Sequence, residues 1–142
     1  GAGGTDSLNI FDQNNLVLAS SRYTVTGTTV AHSLSATVSY SSMDGGVVIN
    51  GGPGGLFGTA TYDINSTSTN NPVTIHAGAD NDVANLTPVG KNLDLLDAPV
   101  SFFGGGGVNT LNVNDQNNPN PDAFTTSLFS MSRTNAAPSI MT

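Results

Sequence analysis

The chain has no cysteine, no tryptophan and no glutamate, and its only cations are Arg22, Lys91 and Arg133. Without cysteine there are no disulfides, no zinc–thiolate sites and no thiol nucleophile. Ten acids, all aspartate, leave a net charge of −7. Binding a nucleic acid requires phosphate neutralisation by Lys and Arg, so that class is excluded. The same balance argues against docking on an anionic membrane. No run approaches the roughly 18 apolar residues of a membrane span. Glutamate and lysine, two good helix formers, are almost missing, and no convincing 3.6-residue periodicity is present. The nearest candidate, Asn92 to Ala98, stops before Pro99. With 9% charged residues the chain also lacks the composition of a disordered segment. It shows no initiating Met and no signal peptide, and it opens inside a Gly-rich motif, which suggests processing or a fragment of something longer.

What remains is uncharged polar sequence, rich in β-branched residues and punctuated by Gly. That suits short strands joined by tight turns. Apolar and polar residues alternate in Leu8–Ile10, Tyr23–Val25, Ala36–Tyr40, Ala60–Ile64, Val73–Ile75, Leu93–Leu95, Val100–Phe102 and Leu111–Val113. Alternation of this kind marks half-buried strands, so the chain reads as all-β.

An internal repeat carries the architectural expectation. Residues 1–15 (GAGGTDSLNIFDQNN) align without gaps on residues 104–118 (GGGGVNTLNVNDQNN), with nine of fifteen positions identical. The pairs include Gly3/Gly106, Gly4/Gly107, Leu8/Leu111, Asn9/Asn112 and Asp12/Asp115. Weaker copies start at 51 (GGPGG) and 77 (AGADNDVAN). The steps of 50, 26 and 27 imply a unit of about 26 residues, with one decayed copy near Gly27. The expectation is a parallel β-helix, or β-solenoid, in coils of about 26 residues, with a β-sandwich as the alternative. One domain, 1–142, would hold a super-repeat at 1–103, the start of the next at 104–118, and an irregular strand and tail at 119–142.

The Gly-rich motifs resemble the Gly-Gly-x-Gly-x-Asp-x-apolar-x nonapeptides of the repeats-in-toxin family. They are closer still to the Gly-Gly-x-Gly-x-Asp-x-Leu-Asn-Val repeats of large secreted bacterial surface proteins. The resemblance implies a calcium role for Asp6 and Asp82, the two acids in the motif's acidic position. The copies lie about 26 residues apart rather than nine, so they cannot share ions as the family does, and calcium wants six to eight oxygen ligands. A structural, Gly-rich corner is the competing reading.

Other candidates are sparse. Asp80/Asp82 and Asp94/Asp97 are the nearest paired carboxylates, with only Lys91 as a basic neighbour, so no catalytic residue is assigned. His32 and His76 lie in strand segments. Asn65-Ser66-Thr67 and Asn85-Leu86-Thr87 match the N-glycosylation pattern. The leading expectation is a non-enzymatic structural protein outside the cell, without a cofactor, associating end to end with copies of itself into a filament. The alternative is an adhesin or carbohydrate-binding module, for which Tyr23, Tyr40, Tyr62, Phe57, Phe102 and Phe103 are the available aromatics. A calcium-binding module and a polysaccharide-active enzyme rank below these.

Overall fold

A computed structural model describes residues 3–13, 20–33, 35–52, 58–120, 122–127, 130–133 and 140–141. The described residues are strand and turn, apart from one 3-10 helix at Leu93–Leu95. Seven strands form the first sheet. They are β1 (Ser7–Phe11), β5 (Gly46–Asn50), β7 (Val73–His76), β9 (Val100–Phe103), β13 (Ile140–Met141), β12 (Ser130–Arg133) and β11 (Phe124–Thr126), in that spatial order. Six form the second, in the order β10 (Thr110–Val113), β8 (Val83–Leu86), β6 (Thr61–Ile64), β2 (Arg22–Val25), β3 (Thr29–His32) and β4 (Val38–Ser39).

The core lies between the sheets. Alternation aims Val47, Ile49, Val73, Ile75, Val100 and Phe102 inward from the first sheet, all buried. Tyr23, Val25, Tyr62, Ile64, Ala84 and Leu86 meet them from the second. Tyr62 stands between Tyr23, whose ring it stacks on at 5.1 Å, and Phe102 at 6.2 Å.

The expected parallel β-helix is not what forms. Both sheets are mixed, and they face one another like a sandwich. Four strands of each run parallel: β1-β5-β7-β9 and β2-β6-β8-β10. Beyond β2 the chain reverses into the antiparallel strands β3 and β4. Beyond β9, β13 pairs parallel, and β12 and β11 follow antiparallel. A hairpin closes a short loop and so loses little chain entropy, which lets local reversals displace further parallel rungs.

The spacing explains the error. Val47 pairs with Val73, 26 residues on, and Val73 with Val100, 27 on, as the repeat implied. Leu8, however, pairs with Val47, 39 residues on. The extra length is the β2–β3–β4 excursion. Gly27, expected to mark a decayed corner, instead sits in the β2–β3 turn, where the Thr26 N–H donates to the Thr29 carbonyl at 2.9 Å.

The 103-residue super-repeat fails for the same reason. Leu8 lies in the first sheet and Leu111 in the second. A Gly-rich turn followed by apolar-Asn-apolar fits either sheet, because both have the same inward–outward alternation. The copies at 77 and 104 do stack: the Ala77 N–H donates to the Phe103 carbonyl, and the Gly106 N–H to that of Gly78. There Gly105 has φ +75°, and a Cβ would collide with the Gly78 carbonyl oxygen. Two further expectations are corrected. Leu93–Leu95 is not a strand but the 3-10 helix, capped by the Asn92 side chain, which accepts from the Asp94 N–H at 2.8 Å. The strand expected over Ala36–Tyr40 shrinks to β4.

Candidate functional site

The outward side chains of the first sheet make two rows. Register places Phe11, Asn50, His76 and Phe103 side by side on β1, β5, β7 and β9. The neighbouring row is Asn9, Val48, Thr74 and Ser101. Phe11 is 72% exposed and Phe103 44%, although both are large and apolar. The rings of His76 and Phe103 stack, 5.0 Å apart and 11° from parallel. The Asn50 amide donates to the Ile10 carbonyl at 3.3 Å, which anchors the gap between the aromatics. Strands about 4.8 Å apart give the row a span of about 14 Å from Phe11 to Phe103. No Asp, Lys or Arg stands in either row. The face therefore offers rings for apolar contact and amides and hydroxyls for hydrogen bonds, with little charge.

The outward face of the second sheet is different. Asp63 on β6 is 4% exposed and ion-paired with Arg22 on β2. Asn85 on β8 donates its amide to Asp63 Oδ1 at 2.7 Å. Asn112 on β10 donates to Asn85 Oδ1 at 2.8 Å. The parallel register puts these side chains at one level, so each amide reaches back to the rung before it.

A third cluster ties the hairpin to β1. The Tyr23 hydroxyl donates to Asp12 Oδ2, and His32 Nε2 lies 3.6 Å from the same oxygen. The imidazole packs on the Tyr23 ring at 4.6 Å, and its Nδ1 lies 3.3 Å from Ser35 Oγ. Burial, then the Asp12 carboxylate, pushes the Tyr23 phenol far above its ordinary value, so it stays a donor. Tyr62 is raised by burial and by the nearby Asp82 and Asp12 carboxylates.

The residues singled out in the sequence are scattered across these places. Asp82 is 1% exposed, and its Oδ1 accepts from the Ala60 N–H at 2.9 Å. Burial raises its pKa to about 6, against the lowering effect of that hydrogen bond. Asp6 stands at the start of β1 in the other sheet, its N–H donating to Asp44 Oδ1 at 2.8 Å. The fold does not bring the two together, and the described residues hold no group of three or more side chains able to ligate a metal. Asp12 joins the Tyr23–His32 cluster, whereas its repeat partner Asp115 accepts from the Leu93 N–H at 2.8 Å. Gly3, Gly4, Gly106 and Gly107 lie in exposed turns. Asn85 belongs to the amide ladder, where the nitrogen that would carry a glycan is donated to Asp63. Asn65 follows β6, and its N–H donates to the Val25 carbonyl at 2.8 Å.

Of the aromatics expected to bind sugar, Tyr23, Tyr40, Tyr62 and Phe102 are core, Phe103 is on the face, and Phe57 lies outside the described residues. So do residues 53–55 of the GGPGG copy, Asn14, Asn15, and most of the tail after Arg133. Sequence reasoning missed Phe11 and His76 as partners of Phe103. The signal was there: each ends its strand, out of phase with the buried residues.

Among the described residues no helix is long and apolar enough to cross a membrane. No protein-family profile matches the chain, and neither a curated protein nor a solved structure matches it.

Proposed function

We propose that the chain is a glycan-binding, adhesive module whose binding face is the outward side of the first sheet, at work on an extracellular surface. The observation that carries this reading is the in-register row Phe11–Asn50–His76–Phe103. Solvent-exposed rings cost free energy in water, and rings ranked along a flat sheet invite an apolar ligand surface. The C–H face of a sugar ring is such a surface, and its hydroxyls match the Asn, Thr and Ser of the adjacent row. The two rows carry no Asp, Lys or Arg and the chain carries −7, so the ligand is an uncharged glycan rather than a polyanion.

Filament growth by level stacking of whole copies, both sheets at once, is the weaker reading. Each end of the parallel stack has one sheet continued past the other, by antiparallel β3–β4 at one end and by parallel β13 followed by antiparallel β12 and β11 at the other. A copy stacking there would meet a step rather than a level platform.

The test is a glycan array with the chain immobilised or labelled, followed by titration calorimetry on any hit. Uncharged oligosaccharides should be retained. Phe11→Ala and Phe103→Ala should each weaken binding at least about tenfold, a loss of roughly 1.4 kcal/mol. Phe11 is mostly exposed, so its variant should unfold at the parent's temperature. No retention of uncharged glycans, or full binding by Phe11→Ala, overturns the assignment.

A further inference from the structure

The amide ladder of the second sheet has a direction. It starts at the Arg22–Asp63 ion pair and passes to Asn85, then to Asn112. In each step the later rung donates Nδ2 to the earlier rung's side-chain oxygen. Asn112 Oδ1 is therefore the acceptor that the ladder leaves over. A chain of hydrogen bonds begun at a charge polarises its members, which makes the last acceptor a better one.

Asn112 stands on β10, the edge of its sheet. Among the described residues β10 pairs only with β8. Its inward residues Leu111 and Val113 are only partly buried, although their neighbours Ala84 and Leu86 are fully so. Among the described residues the edge thus has an open backbone ladder, an incompletely covered apolar pair and an unmatched amide acceptor. Natural sheets commonly blunt such an edge with a Lys, a Pro or a bulge, and Thr110–Val113 has no Lys or Pro.

We propose that the β10 edge binds an added parallel strand of the pattern apolar–Asn–apolar, contributed by another copy of this chain's own Leu-Asn-Ile/Val motif. The incoming Asn places its Nδ2 on Asn112 Oδ1. The flanking apolar residues cover Leu111 and Val113. The backbone extends the ladder that joins β8 to β10. This is strand addition, with main-chain bonds giving affinity and one side-chain register giving specificity. The chain carries the Leu-Asn-Ile/Val form of that pattern twice, at Leu8-Asn9-Ile10 and Leu111-Asn112-Val113, besides Ala84-Asn85-Leu86 on β8. The same motif already serves in both sheets, so nothing in it is specific to the first. The proposal does not depend on the glycan reading, because the two use different sheets.

The probe is a synthetic peptide of residues 3–12, added to the full chain and followed by NMR and fluorescence anisotropy. Saturable shifts should concentrate at Thr110–Val113 and at the Asn112 amide group. An Asn9→Leu peptide should bind about tenfold more weakly, the effect of one hydrogen bond to a polarised acceptor. An Asn112→Leu chain should lose the preference between the two peptides. Its melting temperature reports folding separately. Equal binding of the two peptides to the parent chain overturns the proposal, as does no binding. Shifts confined to the β1 edge, Ser7–Phe11, overturn it too.

Discussion

The ring of Tyr23 on β2 stacks on that of Tyr62 on β6, 5.1 Å apart and 6° from parallel. Tyr62 is fully buried, and its hydroxyl donates to the Ala77 carbonyl at 3.3 Å. This pair sits where the hairpin meets the parallel strands. It should therefore dominate stability. Tyr62→Ala is expected to cost about 3–5 kcal/mol, the range for removing a buried aromatic. Tyr62→Phe keeps the stack and loses only the long hydrogen bond, for about 0.5–1.5 kcal/mol. Urea melts of the two variants measure both. Equal losses would mean that the hydroxyl, not the stack, matters.

Asp12 holds the Tyr23 hydroxyl, and His32 closes over it. Asp12→Ala leaves a phenol donor without its acceptor in a half-buried site. The expected loss is about 1–3 kcal/mol. Hydrogen exchange should show the loss concentrated in β2 and β3. Asp115→Ala is the control: it removes an acceptor of the Leu93 N–H and should leave β2–β3 exchange unchanged.

Burial lifts Asp82 from the ordinary 3.8 to about 6. A raised acid binds its proton more tightly in the folded state than in the unfolded one. Below the ordinary value both states are protonated, and the residue is neutral toward folding. As pH rises from about 4 to 6 the unfolded state ionises first, and stability falls; above 6 the full cost remains. Asp82→Asn keeps an acceptor for the Ala60 N–H and removes the charge. The variant should melt at least as high as the parent at pH 7, and its advantage should shrink as pH falls to 4. An advantage that does not vary with pH would sink this assignment.

Gly105→Ala tests the stacked corner. The residue has φ +75°, and its α-carbon faces the Gly78 carbonyl. Both strain and collision follow, for about 1–3 kcal/mol. Gly3→Ala has only the strain, since nothing lies near its absent Cβ, so it should cost less. Thermal melts of the two decide it.

The core was legible in the sequence because alternation has one physical cause. Val73, Ile75, Val100 and Phe102 point inward because every second residue of a strand must. The corners at 77 and 104 do stack, but the solenoid that their recurrence suggested does not form. The aromatic face was half legible. Phe103 was named among the aromatics, but its neighbours Phe11 and His76 come from segments 92 and 27 residues earlier, and only register unites them. The Asp12–Tyr23–His32 cluster carried no spacing signal, because it forms where a strand end meets a hairpin.

Composition and alternation by themselves determined that this chain is all-β, built of short strands around one apolar layer. Those are local properties, set by each residue's own chemistry and by its neighbours one or two positions away. Tertiary structure alone decided which strands sit side by side. Leu8 and Leu111 carry the same motif into opposite sheets, because partner choice depends on the length and turns of the chain between them. The β2–β3 reversal at Gly27 added thirteen residues to one step and so shifted β1 out of phase with its apparent copy.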